Sequence, residues 1–169
     1  MMTPVYNAFF RAAEDNGRTR RHDIDWEKLE RALSGQRTSL MILCNPRNSI
    51  GRNWIADELT RILLLANEHQ ARVVADEIHG DLTLAPGEDY TPVLSLPRSL
   101  TGGVVMLMSP SKTFSEPGIQ AALALASDPL IRRLVGDGFS ATHIATSPAS
   151  RPSREPSPAT RRERGGTRG

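Results

Sequence analysis

Three shortages in this sequence each close off a class of protein. Cys44 is its one cysteine. A single thiol cannot make an internal disulfide, so a core and not cross-links must hold the fold, and the usage suits a reducing compartment. Cys44 reads as a small apolar residue at a strand end rather than as a reactive thiol. Long apolar runs are missing too: none approaches the ~20 residues that a membrane-spanning helix requires. The first residues lack a charged segment followed by an apolar one, so no secretion signal is expected and the expected address is the cytoplasm. Lysine is the third shortage. Lys28 and Lys112 stand against nineteen arginines, so a lysine at position 112 looks selected.

What is present fits one domain. The chain has 169 residues, 38% of them hydrophobic, enough for one core. Its net charge of +2 hides an asymmetry. Residues 151–169 carry six arginines and two glutamates, which leaves fifteen basic against seventeen acidic residues in 1–150. The folded part is therefore not a basic nucleic-acid surface. The arginine-rich tail lacks the interleaved aromatics of a single-strand binder, so no nucleic-acid partner is expected.

Along the chain, Pro4–Glu14 reads as a helix stopped by Asn16-Gly17, and Arg18–His22 is too polar for a core strand. Asp25–Leu33 is predicted as a helix capped by Asp25 or Asp23, with Gly35 as its stop. Ser39–Cys44 is a buried strand and Asn45–Gly51 a turn-rich loop. Ile55–Gln70 is an amphipathic helix with Leu59, Ile62, Leu63 and Ala66 on one face. Val73–Ala75 and Gly103–Met108 are further buried strands, with a short helix near Pro92–Leu96 between them. Ile119–Ala126 reads as a strand whose alanines also permit helix, and Asp128–Val135 as a capped helix. Strands and helices in this order predict an α/β fold: a mostly parallel sheet with helices on both faces. From Gly136 the pattern stops, and residues 145–169 have the composition of a disordered segment.

The stretch Arg72-Val-Val-Ala-Asp-Glu-Ile-His-Gly-Asp81 carries the chemistry. An apolar strand ends in Asp76, Glu77, His79 and Asp81, and ligands of open α/β sheets sit at the carboxyl ends of strands. Those four side chains have three readings: solvated caps, a metal site of a hydrolase at Asp76, His79 and Asp81, or part of a larger site shared with other loops. Ser109-Pro-Ser-Lys-Thr-Phe114 follows the strand at Val104 and sets Lys112 past a neighbouring edge.

Three loops taken together, Asn45-Pro-Arg-Asn-Ser-Ile-Gly51, Asp76-Glu-Ile-His79 and Ser109–Phe114, resemble those of fold-type I pyridoxal-phosphate enzymes. The chain is similar to the middle of the class I/II aminotransferase large domain, and its Asp-Glu-Ile-His tetrad resembles the cystathionine β-lyase-like branch. It departs from the family where Ser49 and Ile50 replace proline and threonine. The resemblance implies an incomplete large domain over residues 1–136 and pyridoxal 5'-phosphate as cofactor, while composition alone makes 137–169 a Ser/Pro/Arg-rich, disordered tail. It implies that Lys112 forms the Schiff base and acts as the base, and that Asp76 pairs with the pyridine nitrogen. Asn48 and His79 are implied to bond the phenolic oxygen, Tyr6 to stack on the ring, and Ser109 and Ser111 to hold the phosphate; Glu77 is left without a role. The implied reaction is carbon–sulfur lysis or transamination of a small amino-acid substrate by a homodimer, with no membrane or nucleic-acid partner. The alternative is a non-catalytic α/β remnant that binds a partner through exposed faces.

Overall fold

Three short apolar strands make the centre: β4 (Leu40–Cys44), β5 (Arg72–Asp76) and β6 (Val104–Met108). In this computed structural model the described residues are 5–6, 10–15, 20–47, 51–82, 90–115 and 121–141. β4 pairs with β5 in parallel, Cys44 beside Asp76, and β5 pairs with β6 in parallel, Asp76 beside Leu107. β1 (Val5–Tyr6) adds to the far side of β4 in parallel, Tyr6 beside Ile42. β7 (Leu123–Leu125) adds to β6 antiparallel, so the sheet order is β1-β4-β5-β6-β7. The mostly parallel sheet with helices packed on it is the fold class expected.

Side chains alternate between the faces of a strand, and the two faces differ here. Met41, Leu43, Val73, Ala75, Val104 and Met106 are buried, while Ile42, Val74 and Val105 between them are half-buried. The buried face is covered by α1 (Trp26–Leu33), α2 (Ala56–Glu68) and α3 (Arg98–Thr101). Leu29 and Leu33 of α1 and Leu59, Ile62, Leu63 and Ala66 of α2 join one core with Trp54 and Val93. Each fully buried Leu or Ile is worth about 1.5–3 kcal/mol of transfer free energy, so this layer dominates the stability.

Local chemistry sets the helix ends. Asp25 caps α1, its Oδ1 accepting from the Lys28 amide at 3.0 Å, as expected. At the start of α2, Glu58 accepts from the Ile55 amide at 3.3 Å and from Arg52 at 2.6 Å. The Arg61 guanidinium lies 4.1 Å over the Trp26 ring and joins the two helices. The predicted short helix near Pro92 is a 3₁₀ turn, Val93–Ser95, followed by α3.

Two expectations fail. Pro4–Glu14 is not a helix: β1 is followed by β2 (Phe10–Asp15), which pairs antiparallel with β3 (Arg20–Ile24), Phe10 beside Ile24. Alanine and glutamate favour helix only weakly, and strand pairing overrides them. Asn16-Gly17, read as a helix stop, lies outside the described residues. The polar stretch before Asp25 is a strand, but in this separate ribbon and not in the core sheet. The last helix, α5 (Pro129–Ala141), also runs past Gly136, where the pattern was expected to stop. Asp128 opens it, its Oδ1 accepting from the Leu130 amide at 2.7 Å. Residues 142–169 of the expected tail lie outside the described residues. No helix among the described residues is long and apolar enough to cross a membrane.

Candidate active site at the carboxyl ends of the strands

Parallel pairing sends β1, β4, β5 and β6 out of the sheet at one edge, so the residues that follow them share a neighbourhood. Tyr6 ends β1, Asn45 follows β4, Asp76 ends β5, and Ser109, Ser111 and Lys112 follow β6 within a few residues. Asn48 lies outside the described residues. Asp76 is held from both sides through the backbone. Its carbonyl accepts from the Asn45 amide at 2.9 Å, and the next amide, Glu77, donates to the Leu107 carbonyl at 2.9 Å. The alternation of β5 carries Asp76 to the half-buried face with Val74 and turns Glu77 to the covered face with Ala75.

Glu77 is the hub that the sequence left without a role. It is 1% exposed. Its Oε1 accepts from Asn45 Nδ2 at 2.9 Å and from the Val93 amide at 3.0 Å, and its Oε2 accepts from the Tyr90 hydroxyl. Asn45 Nδ2 also donates to the Thr91 carbonyl at 2.9 Å. Burial pushes the Glu77 carboxyl above its usual range; the bonds from Tyr90, Asn45 and Val93 pull it back, and the charge of Asp76 adds to the rise. Burial, the bond to Glu77 and the charges of Glu77 and Asp81 drive the Tyr90 hydroxyl far up. Gly80 completes the fit. A Cβ there would lie 2.8 Å from the Tyr90 ring, so a side chain would push the ring off its acceptor. Asn45 entered the sequence reading only as the first residue of a loop, and Tyr90 not at all; the clue available was an acid next to Asp76 with nothing to do.

The loop after β6 is looser. Ser109 caps α4 (Pro110–Thr113), accepting from the Ser111 amide at 3.3 Å and donating to the Ala121 carbonyl at 2.8 Å. The Ser109 and Ser111 hydroxyls meet at 2.9 Å. Lys112 is exposed and makes no ion pair with any described residue. One contact joins this loop to the acidic one: Thr113 Oγ1 donates to Asp81 Oδ2 at 3.2 Å. His79 is half-buried and its carbonyl accepts from the Leu82 amide at 3.0 Å. Among the described residues no three of His, Cys, Asp and Glu are grouped to hold a metal ion, which leaves the hydrolase reading without a ligand set there.

Residues 1–150 match the family model of aminotransferase class I and II. The chain belongs to that family. Its curated relatives include the cystathionine beta-lyase PatB of Bacillus subtilis, 40% identical over 139 residues, a match that covers 76% of this chain and 36% of PatB. The protein MalY of Escherichia coli is 32% identical over 158 residues, covering 84% of this chain and 40% of MalY. The chain thus spans about two fifths or less of the length of these relatives. Among solved structures, cystalysin of Treponema denticola, which contains a pyridoxal 5'-phosphate cofactor, superposes with a TM-score of 0.70 at 30% identity. That match covers 78% of this chain and 32% of cystalysin. The aminotransferase-family frame inferred from three loops is therefore the frame of this sheet.

Proposed function

We propose that this chain carries the cofactor-binding and proton-transferring part of a pyridoxal-phosphate-dependent enzyme acting on amino acids, with carbon–sulfur lysis of a cystathionine-like substrate as its reaction. The observation that carries the reading is the common edge of β5 and β6, with the acidic loop bonded to the lysine loop through Thr113 and Asp81. The donor set fits the cofactor: a carboxylate, an exposed amine, paired hydroxyls and an imidazole follow adjacent parallel strands. Bound there, pyridoxal phosphate supplies an electron sink for carbanion chemistry at the substrate Cα.

In this reading Asp76 would hold a proton on the pyridine nitrogen by direct charge pairing. His79 and Asn48 would bond the phenolic oxygen, Tyr6 would stack on the ring, and the Ser109 and Ser111 hydroxyls would hold the phosphate. Lys112 Nζ would anchor the cofactor and would be the base for the proton on the substrate Cα. Its amine has no competing ion pair among the described residues, as a group that must exchange partners requires. Lysis is favoured over transamination by the likeness to PatB; transamination by the same residues is the nearest competing outcome. Homodimeric assembly and a cytoplasmic address belong to the same proposal.

Adding pyridoxal phosphate to the purified chain tests it. The expected result is a visible absorption band that Lys112→Ala abolishes and Asp76→Ala weakens, with thiol and pyruvate released from cystathionine. A folded chain that gives no band loses the catalytic reading. The second reading, a non-catalytic domain that binds a partner, is favoured by the exposed Leu123, Leu130 and Leu134, and it predicts no response to the cofactor.

A further inference from the structure

Asp76 and Glu77 are consecutive, yet one is half-buried at the candidate site and the other is sealed on the opposite face. Two segments far apart in sequence converge on that sealed carboxyl: Asn45 after β4, and the stretch 90–93 with the Tyr90 hydroxyl and the Val93 amide. We propose that Glu77 is the positioning residue of this site, a bolt behind Asp76 that ties these two segments to the end of β5 and so fixes the Asp76 carboxylate and His79 before any cofactor arrives. The role of Asp76 and His79 rests on the reading given under Proposed function; the bolt itself does not.

The geometry explains why a carboxyl stands there. Both amide donors meet Oε1 and the single hydroxyl meets Oε2, so the two oxygens serve different neighbours. A side chain with no acceptor there would leave all of these donors unpaired, which costs more than the bonds themselves. The backbone of the same residue continues the ladder, its amide bonding Leu107 on β6, while Asn45 bonds Asp76 from the β4 side. Rotation of the β5 end, the motion that would swing Asp76 away, breaks contacts on both flanks. Gly80 and the Tyr90 ring close the remaining side. Groups held in advance bind with less loss of freedom.

Hydrogen–deuterium exchange on the full chain reads the bolt without cofactor. Glu77→Leu keeps the bulk and removes both acceptors; Tyr90→Phe removes one donor. Glu77→Gln preserves the pattern, because its Oε1 still faces two amides and its Nε2 can donate to the Tyr90 oxygen. Peptides from 76–82 and 90–93 are expected to exchange about tenfold faster in Glu77→Leu, about threefold faster in Tyr90→Phe, and within about twofold of the parent in Glu77→Gln, with β4–β6 interiors unchanged. Affinity for pyridoxal phosphate, titrated by absorption, falls in the same order. Equal acceleration in strands and loops overturns the proposal, since Glu77 then only stabilises the fold. Unchanged loops overturn it as well, and so do loosened loops with undiminished cofactor affinity. If Glu77→Leu fails to fold, Tyr90→Phe and Glu77→Gln decide by the same criteria. A parent chain that takes up no pyridoxal phosphate removes the catalytic reading alone, and the exchange pattern still judges the bolt.

Discussion

Two helices with similar leucine stripes have opposite fates. In α2 the apolar residues Leu59, Ile62, Leu63 and Ala66 are all buried against the sheet. In α5 Leu130 and Leu134 recur at the same helical spacing but are 61% and 58% exposed, and Leu123 and Leu125 of neighbouring β7 are exposed too. Periodicity identifies a stripe; it does not say what covers it. α2 lies between two strands that pair in register, so the chain itself folds its stripe onto the sheet. α5 follows the outermost described strand, and no described element packs closely on its leucines.

The largest expected effect breaks this comparison open. Leu63→Ala should destabilise the chain by about 2–5 kcal/mol, transfer plus cavity terms, whereas Leu134→Ala should stay within about 0.5 kcal/mol. Urea unfolding of the full chain measures both. Equal losses would mean that the α5 stripe is covered in solution, and the asymmetry would vanish.

The sequence made some of this legible and hid the rest for physical reasons. Strands β4, β5 and β6 and the α2 stripe are strongly periodic, bounded by turn formers, and satisfied by neighbours close in the chain, so local signals agree with the fold. The hairpin of β2 and β3 was hidden because Phe10–Asp15 contains residues that favour helix, and only pairing with Arg20–Ile24 decides otherwise. At the candidate site, Asp76, His79 and Lys112 stood out because they follow apolar strands in loops that resemble those of one family; their roles belong to the proposal. The Glu77 partnership was not, because Asn45 and Tyr90 sit 32 and 13 residues away and converge only through tertiary structure.

A smaller effect separates the same two regions by pH. Burial raises the folded-state pKa of Glu77 above its ordinary carboxyl value, so the folded chain holds that proton more tightly than the unfolded chain. Its contribution to stability is therefore complete below the ordinary carboxyl range and declines as pH rises through the folded value. Glu77→Gln should remove this decline and flatten the pH profile of unfolding from the ordinary carboxyl range upward. Leu134→Ala should leave its slope unchanged. Urea midpoints taken across that window distinguish them; a slope that survives Glu77→Gln would assign it to other carboxyls.

The smallest expected effect uses the two helix caps as a matched pair. Asp25 caps α1, which buries Leu29 and Leu33, and Asp128 caps α5, whose Leu130 and Leu134 stay exposed. The local chemistry is the same: a carboxylate accepting a first-turn amide and facing the positive end of the helix dipole. Loss of either should cost its helix about 1 kcal/mol, but the readout should differ. Asp25→Ala should lower the global unfolding free energy by that amount, because α1 unfolds with the core. Asp128→Ala should instead raise amide exchange within α5 while moving the urea midpoint hardly at all, since a helix with a bare stripe opens without dragging the sheet along. Equal shifts in global stability would join α5 to the cooperative core and dissolve the division between the two regions.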